Sequence, residues 1–356
     1  MTRTFFSSML KQSRLPLALS AVALLGASCS VSFQAQRPDG GVYSSANQGS
    51  TWQQAVFLSQ TKDKLVTIGG LTITSLLFSP LDSNSLYAVA QEGALYESRN
   101  GGEQWVKLYS GHVQGIALHP KLRDVIYLAS GNQVLQTTDG GQNWQGVYLE
   151  GTPSVTMTDV RLDSLNPSVL YASTSAGALL KSSDAGHTWA ALHTFDKRGI
   201  KRVLVNAFDS RIVYVVANSD TLWRTGDGGT TWVEVLQRLK DQLKLDTGTV
   251  REVVALGNRP DGLLLASTYG LLRSLNGGGS WERLHLLTPP NSVGISALGV
   301  NPANEQVMYY SAGSAFYRTI DGGKDWQTVP LPAPHPATAL GVQPPSAAVL
   351  YLGFGR

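Results

Sequence analysis

Two carboxylates suited to work as a pair are the least that glycoside hydrolysis requires, about 5–10 Å apart across the scissile bond. In this chain of 356 residues the plausible pair is Asp159 and Glu252, which alignment of the internal repeats puts two repeats apart. The same alignment brings Gln114, Arg202 and Arg251 toward the same opening. Five polar side chains there read either as a ligand pocket or as a hydrated lining. The six histidines (His112, His119, His187, His193, His285, His335) are scattered without metal-ligand spacing, so neither metal nor cofactor is expected. No phosphate-cradling loop and no nucleophile elbow occurs.

The elements that must position these groups are set by one motif. Thr137-Thr138-Asp139-Gly140-Gly141-Gln142-Asn143-Trp144 has the form Ser/Thr-x-Asp/Asn-x-Gly-x-x-Trp, and the chain carries seven copies. Their acidic or amide residues are Asn47, Asn100, Asp139, Asp184, Asp227, Asn276 and Asp321, and their tryptophans are Trp52, Trp105, Trp144, Trp189, Trp232, Trp281 and Trp326. Of the 8 tryptophans only Trp223 stands outside the motif. The pattern reads as a turn between two strands. The Asp or Asn side chain accepts backbone N–H bonds from residues just ahead, and the glycine tolerates positive φ. The tryptophan then opens the next strand with a large buried face. Each Asp is open to reading as a ligand site, but the turn already uses its side chain. Asn at three copies keeps the acceptor and discards the charge, which neither a metal site nor an acid–base role tolerates easily.

The motif is identified as the Asp-box, or BNR repeat, and the resemblance covers nearly all of the chain beyond residue 40. Motif tryptophans recur every 39 to 53 residues, the period of four-stranded propeller blades. Residues 157–192 read as one complete blade. After the last motif the sequence supplies two strands, 337–342 and 349–354, with no third or fourth. Residues 41–52 supply a third and fourth with no first or second. Six full repeats and two halves predict an all-β, seven-bladed β-propeller closed by pairing of amino- and carboxyl-terminal strands in one blade, which leaves no open sheet edge.

Charge excludes one class of partner. The 28 basic residues exceed the 25 acidic ones only through Arg3, Lys11 and Arg14, in a segment 1–28 with no acid. The remainder is balanced, so no bulk attraction to nucleic acid follows. Residues 1–28 read as a signal peptide: a basic start, then an apolar run too short for a membrane span. Cys29 is the single cysteine. Leu25-Gly26-Ala27-Ser28-Cys29 resembles a bacterial lipoprotein attachment site, although Gly26 stands where leucine is usual. Plain cleavage is the other reading. Residues 29–40 are then a lipidated tether and 41–356 a single propeller, in an exported, cell-envelope lipoprotein touching the membrane only through its lipid.

The resemblance implies that the Asp-box turns share one face and the inter-blade loops the other. The longest of those loops, 58–71, 192–201 and 236–249, carry Lys62, Lys64, Lys197, Arg198, Arg238, Lys240 and Lys244 against Asp63, Asp196, Asp241 and Asp246. They read as a basic contact face or as a solvated mixed-charge rim. The candidate binding residues are Gln114, Asp159, Lys197, Arg198, Lys201, Arg202, Arg251 and Glu252. The Phe/Tyr-Arg-Ile-Pro segment of sialidases is missing. Xyloglucanases resemble the repeat phrase closely but set carboxylates across a cleft between two propellers, and this chain has one. The layout is similar to that of photosystem II assembly factor propellers, and more distantly to sortilin-type receptors. The expectation is a non-catalytic scaffold for a protein partner at the membrane or in the envelope. The alternative is a glycan-binding or glycoside-hydrolysing propeller.

Overall fold

The computed structural model describes residues 39–356, apart from 63–64, 196–198, 219, 238, 240–248, 290–291, 293, 346–347 and 356. The expected signal peptide, Cys29, most of the tether, Lys64, Lys197, Arg198, Arg238, Lys240, Lys244, Asp63, Asp196, Asp241 and Asp246 lie outside the described residues. Among the described residues no helix is long and apolar enough to cross a membrane.

Seven four-stranded antiparallel sheets form the fold. From inner to outer strand, one blade runs β13 (Met157–Leu162), β14 (Leu170–Thr174), β15 (Ala178–Ser182), β16 (Ala190–Thr194). The closing blade is made as the half-repeats require. Its order is β29 (Ala337–Val342), β30 (Leu350–Phe354), β1 (Gly41–Ser45), β2 (Gln53–Gln54). Tyr43 lies opposite Leu352 and Ser45 opposite Leu350.

Why these runs become strands is plain from their second members. Leu-Tyr-Ala-Val-Ala, Leu-Tyr-Ala-Ser-Thr and Val-Tyr-Val-Val-Ala are buried throughout. Such runs are apolar on both faces, as a sheet sandwiched between two neighbours demands. The buried side chains divide into seven clusters, one at each contact between adjacent blades. The core is thus a ring of slabs.

The Asp-box turns repeat one hydrogen-bond set seven times. In each, the Ser/Thr hydroxyl accepts the glycine N–H four residues on at 2.8–3.0 Å. It donates to the Asp/Asn Oδ1 at 2.7–3.1 Å. That Oδ1 accepts the N–H one residue before the tryptophan at 2.8–3.0 Å. The residue after each Asp/Asn donates its N–H to a carbonyl in the turn between inner and second strand of its own blade, as Ala185 does to Ser168, or, for Gly322, to Gln306 at the start of the second strand. Both turn types therefore lie on one face, called here the turn face.

These bonds hold the carboxyls of Asp139 and Asp184 down at about 2, chiefly through bonds from Asn143 and Thr188. Depressed acids stabilise the fold fully above their ordinary value of 3.8, and the contribution is lost as pH falls toward 2. The asparagine copies reverse one bond: Nδ2 of Asn47 and Asn276 donates to Thr51 and Ser280 hydroxyls, where Asp184 accepts from Thr188. Asp184→Asn is accordingly expected to keep the thermal midpoint at pH 7 and to flatten its decline below pH 4. Asp184→Ala should lower the midpoint at both. Equal midpoints for the two variants at pH 7 would refute the account.

The loop expected at 58–71 is instead interrupted by a hairpin, β3 (Phe57–Gln60) with β4 (Leu65–Thr67), outside the seven blades. It continues where β2 stops after two residues. Val56 accepts the Ile68 N–H, and Phe57 accepts the Trp105 N–H of the next blade. The stretch at 236–249 begins in a helical turn at 235–237, with Leu236 and Leu239 buried.

Candidate functional site

The channel is built from the seven inner strands: β29, β13, β5 (Ile73–Phe78), β9 (Gly115–Leu118), β17 (Ile200–Val205), β21 (Val250–Ala255) and β25 (Ile295–Asn301). Six of them carry a register shift at the same point, between Ile73/Ser75, Met157/Asp159, Ile200/Arg202, Val250/Glu252, Ile295/Ala297 and Ala337/Ala339. A bulge re-aims the side chains beside it. The residue just past each shift, with Gly115 in the seventh strand, forms one level: Ser75, Gly115, Asp159, Arg202, Glu252, Ala297 and Ala339. Charge is confined to three adjacent strands.

Asp159 was expected near the channel mouth, and the structure corrects this. Its side chain is 2% exposed. Oδ1 accepts the Val160 N–H at 3.0 Å; Oδ2 accepts Arg161 Nε at 3.0 Å and the Val203 N–H at 2.9 Å. The carboxylate is a rivet between two blades. It reaches its place because the neighbouring strand offers Gly115, where a Cβ would meet the Asp159 Cα, Oδ1 and the Val160 nitrogen at 2.7 Å. Two of those atoms are backbone and cannot swing aside. Gly115→Ala is therefore expected to cost about 1–3 kcal/mol, measured by urea unfolding; an unchanged midpoint would show that the strands close without it.

Arg202 and Glu252 do line the channel. Arg202 Nη1 stands 3.6 Å from Glu252 Oε1, with side chains 42% and 26% exposed. Burial pushes the Glu252 carboxyl up, and Arg202 and the Leu298 amide pull it back only in part. The Glu252 side chain keeps an exposed edge inside the enclosing channel walls. Gln114 lines a smaller recess of about 140 Å³. Arg251, expected beside Glu252, is exposed and lines neither cavity, because it occupies the bulge itself. Lys201, the bulge residue of the preceding blade, is tied by Nζ to Asp220 at 2.9 Å and to the Val250 carbonyl at 3.4 Å. Arg161 was missed: it shares the channel with Arg202 and Glu252. Its place two residues beyond Asp159, on the same side of a strand, was the available signal. Among the described residues no group of three His, Cys, Asp or Glu is placed to hold a metal.

Chemically, the arrangement joins one saturated carboxylate, one loosely paired carboxylate and two guanidinium groups. It holds no free acid opposite a free base. The solved GH74 xyloglucanase from Xanthomonas campestris superposes with a TM-score of 0.67 at 19% identity, covering 85% of this chain and 52% of that one. A family model described as the photosynthesis system II assembly factor YCF48 matches residues 200–330. The chain is a seven-bladed β-propeller whose repeats resemble BNR repeats.

This propeller is 27% identical over 206 residues to the photosystem II assembly lipoprotein Ycf48 of Synechococcus sp. (strain CC9902). The match covers 56% of each protein, so it spans about half the length of that relative. A structure of YCF48 bound to D1 peptide superposes with a TM-score of 0.61 at 18% identity, covering 85% of this propeller and 100% of that chain.

Proposed function

We propose that this propeller is a non-catalytic scaffold, exported under the signal 1–28 and anchored through lipid on Cys29. It would bind a protein partner at the membrane through the face opposite the turn face. The observation that carries the reading is the direction of β1. That strand runs from Gly41 to Ser45 and straight into the first Asp-box turn. Residue 40 therefore leaves from the opposite face, the face on which every inner strand begins. Lys201, Arg202 and Arg251 stand at those beginnings, and Lys197 and Arg198 precede them in sequence. A short tether would hold this basic rim toward the membrane and whatever protein lies in it. The likeness to an assembly lipoprotein, and to a YCF48 structure that holds a peptide, supports the same reading.

The glycoside hydrolase alternative rests on likeness to xyloglucanases in fold, at 19% identity, and in sequence, at 23% identity over 329 residues. Asp159, already committed to three donors, is poorly suited to hydrolytic work.

The test is photocrosslinking in the native envelope, with the probe at Arg251 and, separately, at Asn143 on the turn face. A defined membrane-protein adduct is expected from the first position alone, and Lys201→Ala/Arg202→Ala should deplete it several-fold. Adducts from Asn143 alone, or an unaffected yield in the double variant, would overturn the assignment of the face.

A further inference from the structure

A cavity of about 420 Å³ runs along the channel from Thr74 and Thr338, near the beginnings of the inner strands, to Pro302 and Pro344 beyond their ends, within the range of small-molecule sites. Its walls and its floor differ in chemistry. The walls are the later inner-strand residues, among them Leu76, Phe78, Val254, Val300, Leu340 and Val342, all partly exposed to the cavity. The floor is Arg161, Arg202 and Glu252. The Arg161 Nε is used by Asp159. Among the described residues, no hydrogen bond engages its two terminal nitrogens, and none engages any nitrogen of Arg202. The Glu252 oxygen nearest Arg202, at 3.6 Å, is beyond hydrogen-bond range.

Two guanidinium groups with unspent donors, below a wall that carries Leu76, Phe78, Val300, Leu340 and Val342 among hydroxyl residues Thr74, Ser75 and Thr338, suit a planar, two-oxygen acceptor on a partly apolar body. Asp159 and Glu252 bear on the amount of charge. They balance the two arginines formally, so a dianion would meet net repulsion, whereas a single carboxylate displaces Glu252 from its loose contact. We propose that the channel binds a small organic monocarboxylate with an apolar tail, its carboxylate between Arg161 and Arg202 and its tail, toward the turn face, against Phe78, Val300 and Val342. Because Glu252 stands 3.6 Å from Arg202, outside hydrogen-bond range, that side chain gives up the arginine without losing a hydrogen bond to it. The site goes beyond the scaffold reading. It lies inside the channel and shares Arg202 with the basic rim, and its test needs no protein partner.

Isothermal titration of the full chain with octanoate, 1-octanol and inorganic phosphate tests the proposal. Saturable binding of octanoate is expected, with octanol and phosphate each at least about tenfold weaker, since a charge-assisted hydrogen bond is worth roughly that factor or more. Arg202→Gln should weaken octanoate by about ten- to a hundredfold. Glu252→Gln removes the competing charge and should strengthen it, which keeps the test decisive should Arg202→Gln fold poorly. No saturable octanoate binding, octanol binding as tightly, phosphate binding as tightly, or Glu252→Gln weakening the complex would each overturn the proposal.

Discussion

Removal of Leu350–Phe354 is expected to abolish the folded state rather than to trim it. β30 is the second strand of the closing blade and bonds to β29 on one side and β1 on the other. Leu350, Tyr351, Leu352 and Phe354 are buried in the two slabs that flank this blade. Burial of side chains of this size contributes about 1.5–3 kcal/mol each. Four of them approach the whole net stability of a domain, about 5–15 kcal/mol. Their loss also strands β1, whose remaining pairing is two residues with β2. Far-UV circular dichroism and limited proteolysis should report an unfolded or molten chain. Leu352→Ala, which leaves the backbone ladder intact, should cost only about 2–5 kcal/mol. A cooperative transition near the wild-type midpoint in the shortened chain would mean that the ring does not depend on its closing strand.

The second large effect is expected at Asp159. Asp159→Ala leaves the Val203 N–H and the Arg161 Nε without their acceptor in the contact between two blades. An orphaned buried donor and a stranded cation together cost about 2–5 kcal/mol. The lower part of that range applies to the extent that Arg161 can turn into the channel water. Adding Arg161→Met to the Asp159→Ala background separates the contributions: recovery should be partial, because the Val203 amide remains unmet. A loss below about 0.5 kcal/mol in urea unfolding would be the value for an ordinary surface change, and would remove the rivet from the account.

The ring and its closure could be read from the chain because each blade spends a tryptophan and a glycine at fixed spacing, and because the terminal half-blades are complementary. The hairpin of Phe57–Gln60 with Leu65–Thr67 was hidden for a related reason. A reading organised on four strands per repeat assigns a fifth and sixth to the loop between repeats. Its alternation is short and its exposure mixed, so nothing in the residues outweighed the repeat. The site was only half legible. Repeat alignment put Asp159, Arg202 and Glu252 on one level, but it could not tell a side chain facing a void from one facing a neighbour. That difference lies in Gly115, whose missing Cβ belongs to another blade. Arg251 stands clear of the cavity for the complementary reason: an extra residue in the strand breaks the alternation on which alignment relies.

The pairing of Gly41 with Phe354 sets a timetable for a chain that emerges amino end first. At about 5–20 residues per second, the roughly 300 residues between these two strands take on the order of 15–60 s to appear. Throughout that interval β1 has only its two-residue pairing with β2 and can be captured by a neighbouring nascent chain or by a holdase. Delay of this kind makes the opening segment the place where quality control must act.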